Sequence, residues 1–230
     1  MNKFEKMYNP LGLRVPKSFP RKNVLKFGAK IEHPDELILS GYTTPVEDQG
    51  DKPFCAAYSA SSFAESVLWR KTGKKAQVNP DPLYFHAKTI DGDPTGDGTY
   101  LECTLDALLE KKYFDRAVCK VKTFGGGLFG IPDGLESVKN TIHRYGVCIA
   151  GFDITGEWFN PKGAVIRGDG SKSQGGHAVT LVGYDKDGVL ILNSWGKSYA
   201  KNGFVYITNK AFEEQFMYGA VLTRCLDGMS

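Results

Sequence analysis

The sequence lacks both a long apolar run and a strong charge of either sign. No window of its 230 residues approaches the roughly 18 consecutive apolar residues of a membrane span. Residues 1–10 contain no apolar core of the length that a secretory signal needs. We therefore expect no membrane contact and a cytoplasmic location. The formal net charge of +3 is too small to indicate nucleic-acid binding.

Cysteine and histidine are also scarce, with five and four residues respectively. The cysteine count is odd and the spacing is wide, which predicts no disulfide framework and fits a reducing compartment. His33 precedes a proline, and His86 and His143 lie on predicted helices without special surroundings. Only His177, which follows two glycines, has a distinctive context. We expect neither a metal ion nor a cofactor.

The hydrophobic pattern changes from helices to strands along the chain. Four prolines within residues 1–41 predict an irregular N-terminal strap. The predicted helices are Cys55–Lys71, Pro82–Lys88, Leu101–Tyr113 and Leu135–Tyr145, and the predicted strands are Val147–Ile154, Ala178–Tyr184, Val189–Leu192, Phe204–Thr208 and Gly219–Arg224. This order predicts an α+β domain over residues 42–225. A helical lobe at about 50–124 and an antiparallel, barrel-like β lobe at about 125–225 would enclose a cleft.

Four residues predict the chemistry of acyl transfer by a cysteine. Cys55 begins a predicted helix, where unpaired backbone N–H groups and the helix dipole favour a thiolate. His177 is the candidate base, and Asn193 can accept a hydrogen bond that fixes its tautomer. Gln49 can donate to an oxyanion beside the backbone N–H of Cys55. Each residue alone also has an ordinary explanation: a buried cysteine, a structural histidine, a turn asparagine and a polar loop glutamine.

The segments around these residues resemble those of the papain-like cysteine peptidases. Val46–Gly50 followed by Cys55 is similar to the active-site segment of that family, Gly176–Tyr184 to its histidine segment and Leu192–Gly196 to its asparagine segment. The resemblance extends from residue 42 to about residue 223. It implies a papain-like two-lobed fold with the active site in the cleft. It also implies that the chain hydrolyses a peptide or protein substrate.

The same resemblance assigns a role to each of the four residues. Cys55 is the nucleophile that forms a thioester, and His177 is the base and then the acid. Asn193 orients His177, and Gln49 completes the oxyanion hole. The implied resting state is a Cys55 thiolate beside a His177 imidazolium.

The active-site segment departs from the family signature, which is Cys-Gly-Ser/Ala-Cys-Trp/Tyr. Lys52 stands in place of a disulfide cysteine, Pro53 and Phe54 in place of small residues, and Ala56 in place of an aromatic residue. The lack of a signal and of a long helical propeptide resembles the shorter bacterial or viral members.

The family binds its substrate as an extended strand against a glycine-rich segment. The resemblance implies that the substrate-binding residues here are Gly98, Thr99, Tyr100, Gly176, Ala178 and Trp195. Tyr100 and Ala178, with Met217 near the floor, then line a pocket that predicts a preference for an apolar substrate side chain.

Four alternatives remain open from the sequence. Asp91–Glu102 nearly fits a calcium-binding loop, or it is an acidic turn before a helix. The strap of residues 1–41 either contacts and restricts the cleft or only wraps the lobes. The same catalytic groups also suit an acyltransferase, a deamidase or a transglutaminase-like enzyme. Pro53, Phe54 and Ala56 leave room for a catalytically silent binding module.

Overall fold

The computed structural model describes residues 11–16, 24–25, 32–125 and 134–226. Within these ranges the helices lie mainly in the first half of the chain and most strands in the second, as the sequence predicts. Buried apolar residues from the helices and from the sheet form one continuous core. No helix in the described part of the chain is long and apolar enough to cross a membrane.

Three helices form the helical part: α1 (Cys55–Thr72), α2 (Pro80–Asp91) and α3 (Leu101–Glu110). Residues 55–67 of α1 are all buried, because the small side chains at its start allow the sheet to approach closely. Gly73 ends α1 in the left-handed conformation, as a C-terminal glycine typically does. Asn79 caps α2 by accepting a hydrogen bond from the backbone N–H of Asp81, which satisfies one unpaired donor of that helix.

The described strands form one eight-stranded sheet. They are β1 (Leu37–Ile38), β2 (Lys120–Phe124), β3 (Cys148–Thr155), β4 (Val165–Ile166), β5 (Ser173–Tyr184), β6 (Gly188–Leu192), β7 (Phe204–Thr208) and β8 (Phe216–Thr223). The strand order is β2-β8-β3-β5-β6-β7-β4, with β1 paired to β5. Only the β4–β7 pair among them is parallel. Helices α4 (Gly134–Tyr145) and α5 (Asn209–Gln215) complete the fold.

Strand β2 lies where the sequence predicts the end of the helical lobe. Its residues pair with β8 over their whole length, from Lys120 opposite Thr223 to Phe124 opposite Gly219. Residues 120–124 are therefore part of the sheet. The alternation in this short stretch is too weak to predict a strand without its partner.

The N-terminal strap contacts the rest of the chain at several described places, including the contact of His33 with Glu136 at 3.3 Å. Residues 11–16 lie in the cleft, Leu25 donates its backbone N–H to Thr123 O at 2.7 Å, and β1 extends the sheet at β5. The other residues of the predicted strap, 1–10, 17–23 and 26–31, lie outside the described ranges.

The cysteines differ from the expectation that none is paired. Cys119 and Cys225 form a disulfide that joins the segment before β2 to the segment after β8, whereas Cys55, Cys103 and Cys148 are free. The pairing was not visible in the sequence because the two residues are 106 positions apart and meet only through the β2–β8 ladder. Disulfides persist in oxidising compartments, so the bond removes the cysteine argument for a reducing one.

Candidate active site

Cys55 is the first residue of α1, as predicted, and its side chain is fully buried. The backbone N–H groups of Cys55 and Ala56 lie at the start of the helix, where no residue of the preceding turn can accept from them. Both interact with the thiol, as do the backbone amides of Ala178 and Gly12. The thiol therefore lies between the start of α1 and the residue that follows His177 on β5.

His177 lies on β5, opposite Phe152 of β3, and is bonded to Asn193. Its Nε2 and the Asn193 Oδ1 are 2.9 Å apart. Since Asn193 Oδ1 accepts, Nε2 carries the hydrogen, and Nδ1 is the ring nitrogen left for the thiol. Nδ1 has no hydrogen-bond partner among the described residues. The structure therefore brings the Asn193 amide and the imidazole together, and the orienting role of Asn193 stays a prediction.

Aromatic rings enclose the His177–Asn193 hydrogen bond. The ring centroids of His177 and Trp195 are 4.7 Å apart, and Phe159 stacks on the other side of Trp195 at 5.3 Å. Trp158 meets His177 edge-on at 6.1 Å. Trp195 is fully buried, so its contacts here are with the catalytic imidazole and the core. The sequence analysis missed Trp158 and Phe159, which precede β4 in a short 3₁₀ turn.

Gln49 joins the two parts of the site. Its side-chain Oε1 accepts from the Ser194 hydroxyl at 2.7 Å, and its Nε2 donates to Lys52 O at 2.9 Å. Its backbone N–H donates to Ser194 O at 2.9 Å. An amide nitrogen carries two hydrogens, so one remains after the bond to Lys52. The predicted oxyanion donor is therefore fixed next to Asn193, although Ser194 was not among the predicted site residues.

The protonation states differ from the predicted resting ion pair. Burial raises the pKa of the Cys55 thiol to about 11, and backbone amides such as that of Ala178 only partly offset this effect. Burial also lowers the pKa of His177 to about 4, against the raising effect of its bond to Asn193. The thiol and the imidazole are thus both neutral at pH 7. The physical reason is that a covered cleft excludes the water that would stabilise the two charges.

The cover is the chain's own segment Leu11–Pro16. Thr99 donates its backbone N–H to Gly12 O at 3.1 Å, and Arg14 donates to Thr99 O at 3.0 Å. Leu13 pairs with Thr99 in a parallel bridge and donates to Gly176 O at 3.3 Å. Three of the predicted substrate-binding residues, Gly98, Thr99 and Gly176, therefore contact this segment.

Two glycines make room for the covering segment. A Cβ atom on Gly12 would overlap the backbone carbonyl of Pro53, two residues before the nucleophile, and a Cβ atom on Gly151 would overlap the Leu13 side chain. Leu13 is buried between Gly151, Gly176 and the ring of Tyr218. We call this seat the Leu13 pocket; the apolar pocket that the sequence analysis predicts from Tyr100, Ala178 and Met217 stays a prediction. Ala178, one of its predicted walls, is buried, whereas Tyr100 and Met217 are only partly buried.

The loop Asp91–Glu102 uses its acidic groups within the protein. Asp91 pairs with Lys88 at 2.9 Å, and Asp93 pairs with Arg14 at 2.5 Å. Glu102 lies 3.4 Å from the Tyr218 hydroxyl. No group of three His, Cys, Asp or Glu side chains that could hold a metal ion occurs in the described ranges. The geometry therefore favours the acidic turn over the calcium loop.

Comparisons with known proteins agree with this site. Residues 111–220 match the model of the papain family cysteine proteases, a range that includes His177 and Asn193. The chain is 28% identical to cathepsin K of Gallus gallus over 85% of this chain and 66% of that protein. It is 29% identical to papaya proteinase 4 of Carica papaya over 73% of this chain and 53% of that protein. The matches thus span between half and two thirds of these relatives.

Solved structures show the same fold. Xylellain, a cysteine protease from Xylella fastidiosa, superposes with a TM-score of 0.74 over 92% of this chain and 95% of that one, at 16% identity. A procathepsin B from Trypanosoma congolense superposes with a TM-score of 0.69 over 92% of this chain and 85% of that one, also at 16% identity.

The helix-borne cysteine and the strand-borne histidine, with its bonded asparagine, define the papain-like class. The fold of the described residues is the α+β arrangement of that class. Residues 111–220 are thus similar to the papain family of cysteine proteases, and the described residues share the papain-like fold.

Proposed function

We propose that the protein is a cysteine peptidase that hydrolyses peptide bonds in a peptide or protein substrate. The observation that carries the proposal is the site geometry. The Cys55 thiol contacts the amide of Ala178, and the neighbouring His177 is held by Asn193 at 2.9 Å. A thiol beside an oriented imidazole is the arrangement that nucleophilic catalysis requires.

In the proposed reaction, His177 takes the thiol proton as Cys55 Sγ bonds to the substrate carbonyl carbon. The backbone N–H of Cys55 and the remaining Nε2 hydrogen of Gln49 stabilise the resulting oxyanion. The C–N bond breaks, His177 gives its proton to the departing amine, and a thioester remains. Water, deprotonated by His177, then adds to the thioester and releases the acid and the Cys55 thiol.

Covalent labelling with an epoxysuccinyl peptide tests the nucleophile. Intact mass should show one adduct on the wild-type protein and none on Cys55→Ala, because Cys55 contacts the amide of Ala178, next to His177, whereas Cys103 is surrounded by acidic side chains and Cys148 only by the core. The products of a defined peptide test the reaction. Two fragments support a peptidase, whereas a gain of one mass unit supports a deamidase and refutes the proposal. An unchanged peptide with a fully labelled thiol indicates a silent module.

We also propose that the N-terminal segment restricts the cleft. Residues 11–14 cover the thiol, pair with Thr99 and fill the Leu13 pocket. A substrate strand needs the same backbone groups of Thr99 and Gly176, so the segment and the substrate exclude each other. The apolar seat of Leu13 supports a preference for a leucine-like substrate side chain in that pocket. A peptide library that selects a basic side chain there contradicts this preference.

Gly12→Ala tests the restriction, because the new Cβ overlaps the Pro53 carbonyl. Overpacking of this kind costs about 1 to 3 kcal/mol, so the labelling rate of Cys55 should rise about tenfold or more. Gly41→Ala is a matched control in the same strap, since a Cβ at Gly41 meets no atom within 4 Å. Equal labelling rates for the two variants would show that the segment does not restrict access.

A thiol count tests the disulfide. A cytoplasmic protein with no disulfide has five free thiols after denaturation without reductant, whereas the Cys119–Cys225 bond leaves three.

A further inference from the structure

Glu47 lies at the backbone junction between the two parts of the site. Its carbonyl oxygen accepts from the Gly196 N–H at 3.0 Å, and two residues later the Gln49 N–H donates to Ser194 O at 2.9 Å. Asp48 pairs with Trp195 in an antiparallel bridge between these bonds. Residues 47–49 and 194–196 thus form a short two-stranded seam. This seam holds Gln49 directly beside Asn193.

The side chain of Glu47 reaches from this seam to α1, the helix that begins at Cys55. Its Oε2 lies 3.1 Å from the Ser61 hydroxyl oxygen, which also lies 2.7 Å from the Val78 carbonyl oxygen. A serine hydroxyl has one hydrogen, and a carbonyl oxygen can only accept. If Ser61 donates its hydrogen to Val78 O, at the shorter distance, it has no hydrogen left for Glu47. The contact between Glu47 and Ser61 is then a hydrogen bond only when Glu47 donates to Ser61. Glu47 donates only when its carboxyl group is protonated.

The charges around Glu47 also oppose its ionisation. Glu65, one turn further along α1, is buried and accepts from the Val78 N–H and the Thr44 hydroxyl. Burial raises the pKa of Glu65, and the two accepted bonds act in the opposite direction by favouring its ionised form. Asp81 of α2 adds a second negative charge, and its cationic partner Lys52 bonds to Asp81 at 2.5 Å. Burial, followed by the charge of Glu65, raises the pKa of Glu47 to about 7, against the lowering effect of its contact with the Ser61 hydroxyl. Tyr58 is the other titratable group that interacts with Glu47.

We propose that a proton on Glu47 holds the seam closed, so that Glu47 is a positioning residue for Gln49 and its ionisation at neutral to alkaline pH weakens catalysis. This proposal rests on the proposed peptidase function, because its consequence is a change in the oxyanion donor. When Glu47 loses its proton, it faces the Glu65 carboxylate, and the single hydrogen of the Ser61 hydroxyl can serve either Glu47 or Val78 O but not both. The side chain then moves away from Ser61, and the backbone at residues 47–49 moves with it.

The direction of the pH effect follows from the proton balance. The folded protein keeps the Glu47 proton up to about pH 7, whereas the unfolded chain loses it near the ordinary value of 4.5. The folded state therefore binds more protons between these values, and the free energy of unfolding falls as pH rises from about 4.5 to 7. Above pH 7 both states are ionised and this contribution is constant.

The experiment compares Glu47→Gln with Glu36→Gln, a matched change at an exposed residue. Urea unfolding and kcat/KM for a peptide substrate are measured from pH 4.5 to 9 on each full-length protein, with Gly12→Ala present throughout so that the cleft is accessible. Glutamine is neutral at every pH and its amide can donate to Ser61. We expect the alkaline decline of kcat/KM to begin about one pH unit higher in Glu47→Gln, with less loss of stability between pH 4.5 and 7. Glu36→Gln should follow the parent.

The two measurements distinguish a failure of the Glu47 proposal from a failure of the proposed peptidase function. If no variant hydrolyses peptides, the peptidase function fails, and the unfolding curves still report the Glu47 proton. If the unfolding curves of Glu47→Gln and its parent have the same pH dependence, Glu47 is not protonated and the proposal is wrong. If only the unfolding curves differ, Glu47 holds a proton without positioning Gln49, and the proposal is also wrong.

Discussion

The two walls of the cleft hold their functional groups by different means. The sheet wall, His177 with Asn193, is fixed by strand register and by stacked aromatic rings. The helical wall, Gln49–Cys55 with Gly98–Thr99, is fixed by side-chain hydrogen bonds and ion pairs. Backbone ladders do not titrate, whereas carboxylates and ammonium groups do. We therefore expect the position of His177 and Asn193 to be insensitive to pH, whereas the position of the groups on the helical wall depends on its ion pairs.

The largest effect should come from the sheet wall. His177→Gln removes the base, so kcat should fall by about 10³-fold or more. Asn193→Ala removes only the orienting bond, so a loss of about 10- to 100-fold is expected. Single-turnover kinetics and urea unfolding of each variant measure rate and stability together. If His177→Gln or Asn193→Ala loses rate only because the variant is less stable, the two walls do not differ in the way we expect.

Substitutions in the helical wall should reduce the rate of hydrolysis less, but they should lower the free energy of unfolding strongly. The Lys88–Asp91 pair is almost fully buried, with side chains 2% and 0% exposed, and it holds the Gly98 carbonyl and the Thr99 hydroxyl. Lys88→Met leaves the Asp91 charge unpaired, which costs about 3 to 5 kcal/mol of unfolding free energy. Equilibrium urea unfolding measures the change.

Two variants serve as controls for that loss. Lys71→Met at an exposed site should change stability by no more than about 0.5 kcal/mol. Lys88→Met combined with Asp91→Leu removes both charges and should recover part of the loss. If Lys88→Met is as stable as Lys71→Met, the pair does not support the Thr99 edge.

The smallest effect should come from the exposed rim of the helical wall. Arg14 holds the covering segment to Asp93 at 2.5 Å and to Asp97 O at 2.9 Å. The guanidinium lowers the pKa of Asp93, so the pair is present at neutral pH and is lost as pH falls through that lowered value. Arg14→Ala should speed Cys55 labelling by no more than about fivefold, and added salt should speed the wild type towards the variant. A salt response that is unchanged in Arg14→Ala would exclude the pair as its cause.

The contrast also explains what the sequence predicts and what it does not. Short segments of the sequence predict four parts of the site: His177, Asn193, Gln49 and the helix at Cys55. Each is predictable because its immediate neighbours in the sequence form a recognisable motif. Short apolar runs bounded by turn residues likewise predict β3, β6 and β7 to within a residue or two of their observed ends.

The remaining features depend on contacts between distant segments. The seat of Leu13, the β2–β8 pair and the Cys119–Cys225 bond each join residues that are far apart in sequence. The neutral states of Cys55 and His177 arise from burial, which no local pattern reports. The Glu47–Ser61 contact requires the 44–49 segment to cross α1, and only the assembled fold shows it.

The disulfide gives the chain a covalent ring from residue 119 to residue 225. His177 and Asn193 lie inside that ring, and Cys55 lies outside it. A ring of about 100 residues restricts the unfolded chain by an amount worth about 2 to 5 kcal/mol. A reductant added to keep the Cys55 thiol reactive opens this ring wherever it reaches the buried Cys119–Cys225 bond. An assay buffer that activates the nucleophile therefore loosens the part of the chain that carries its base.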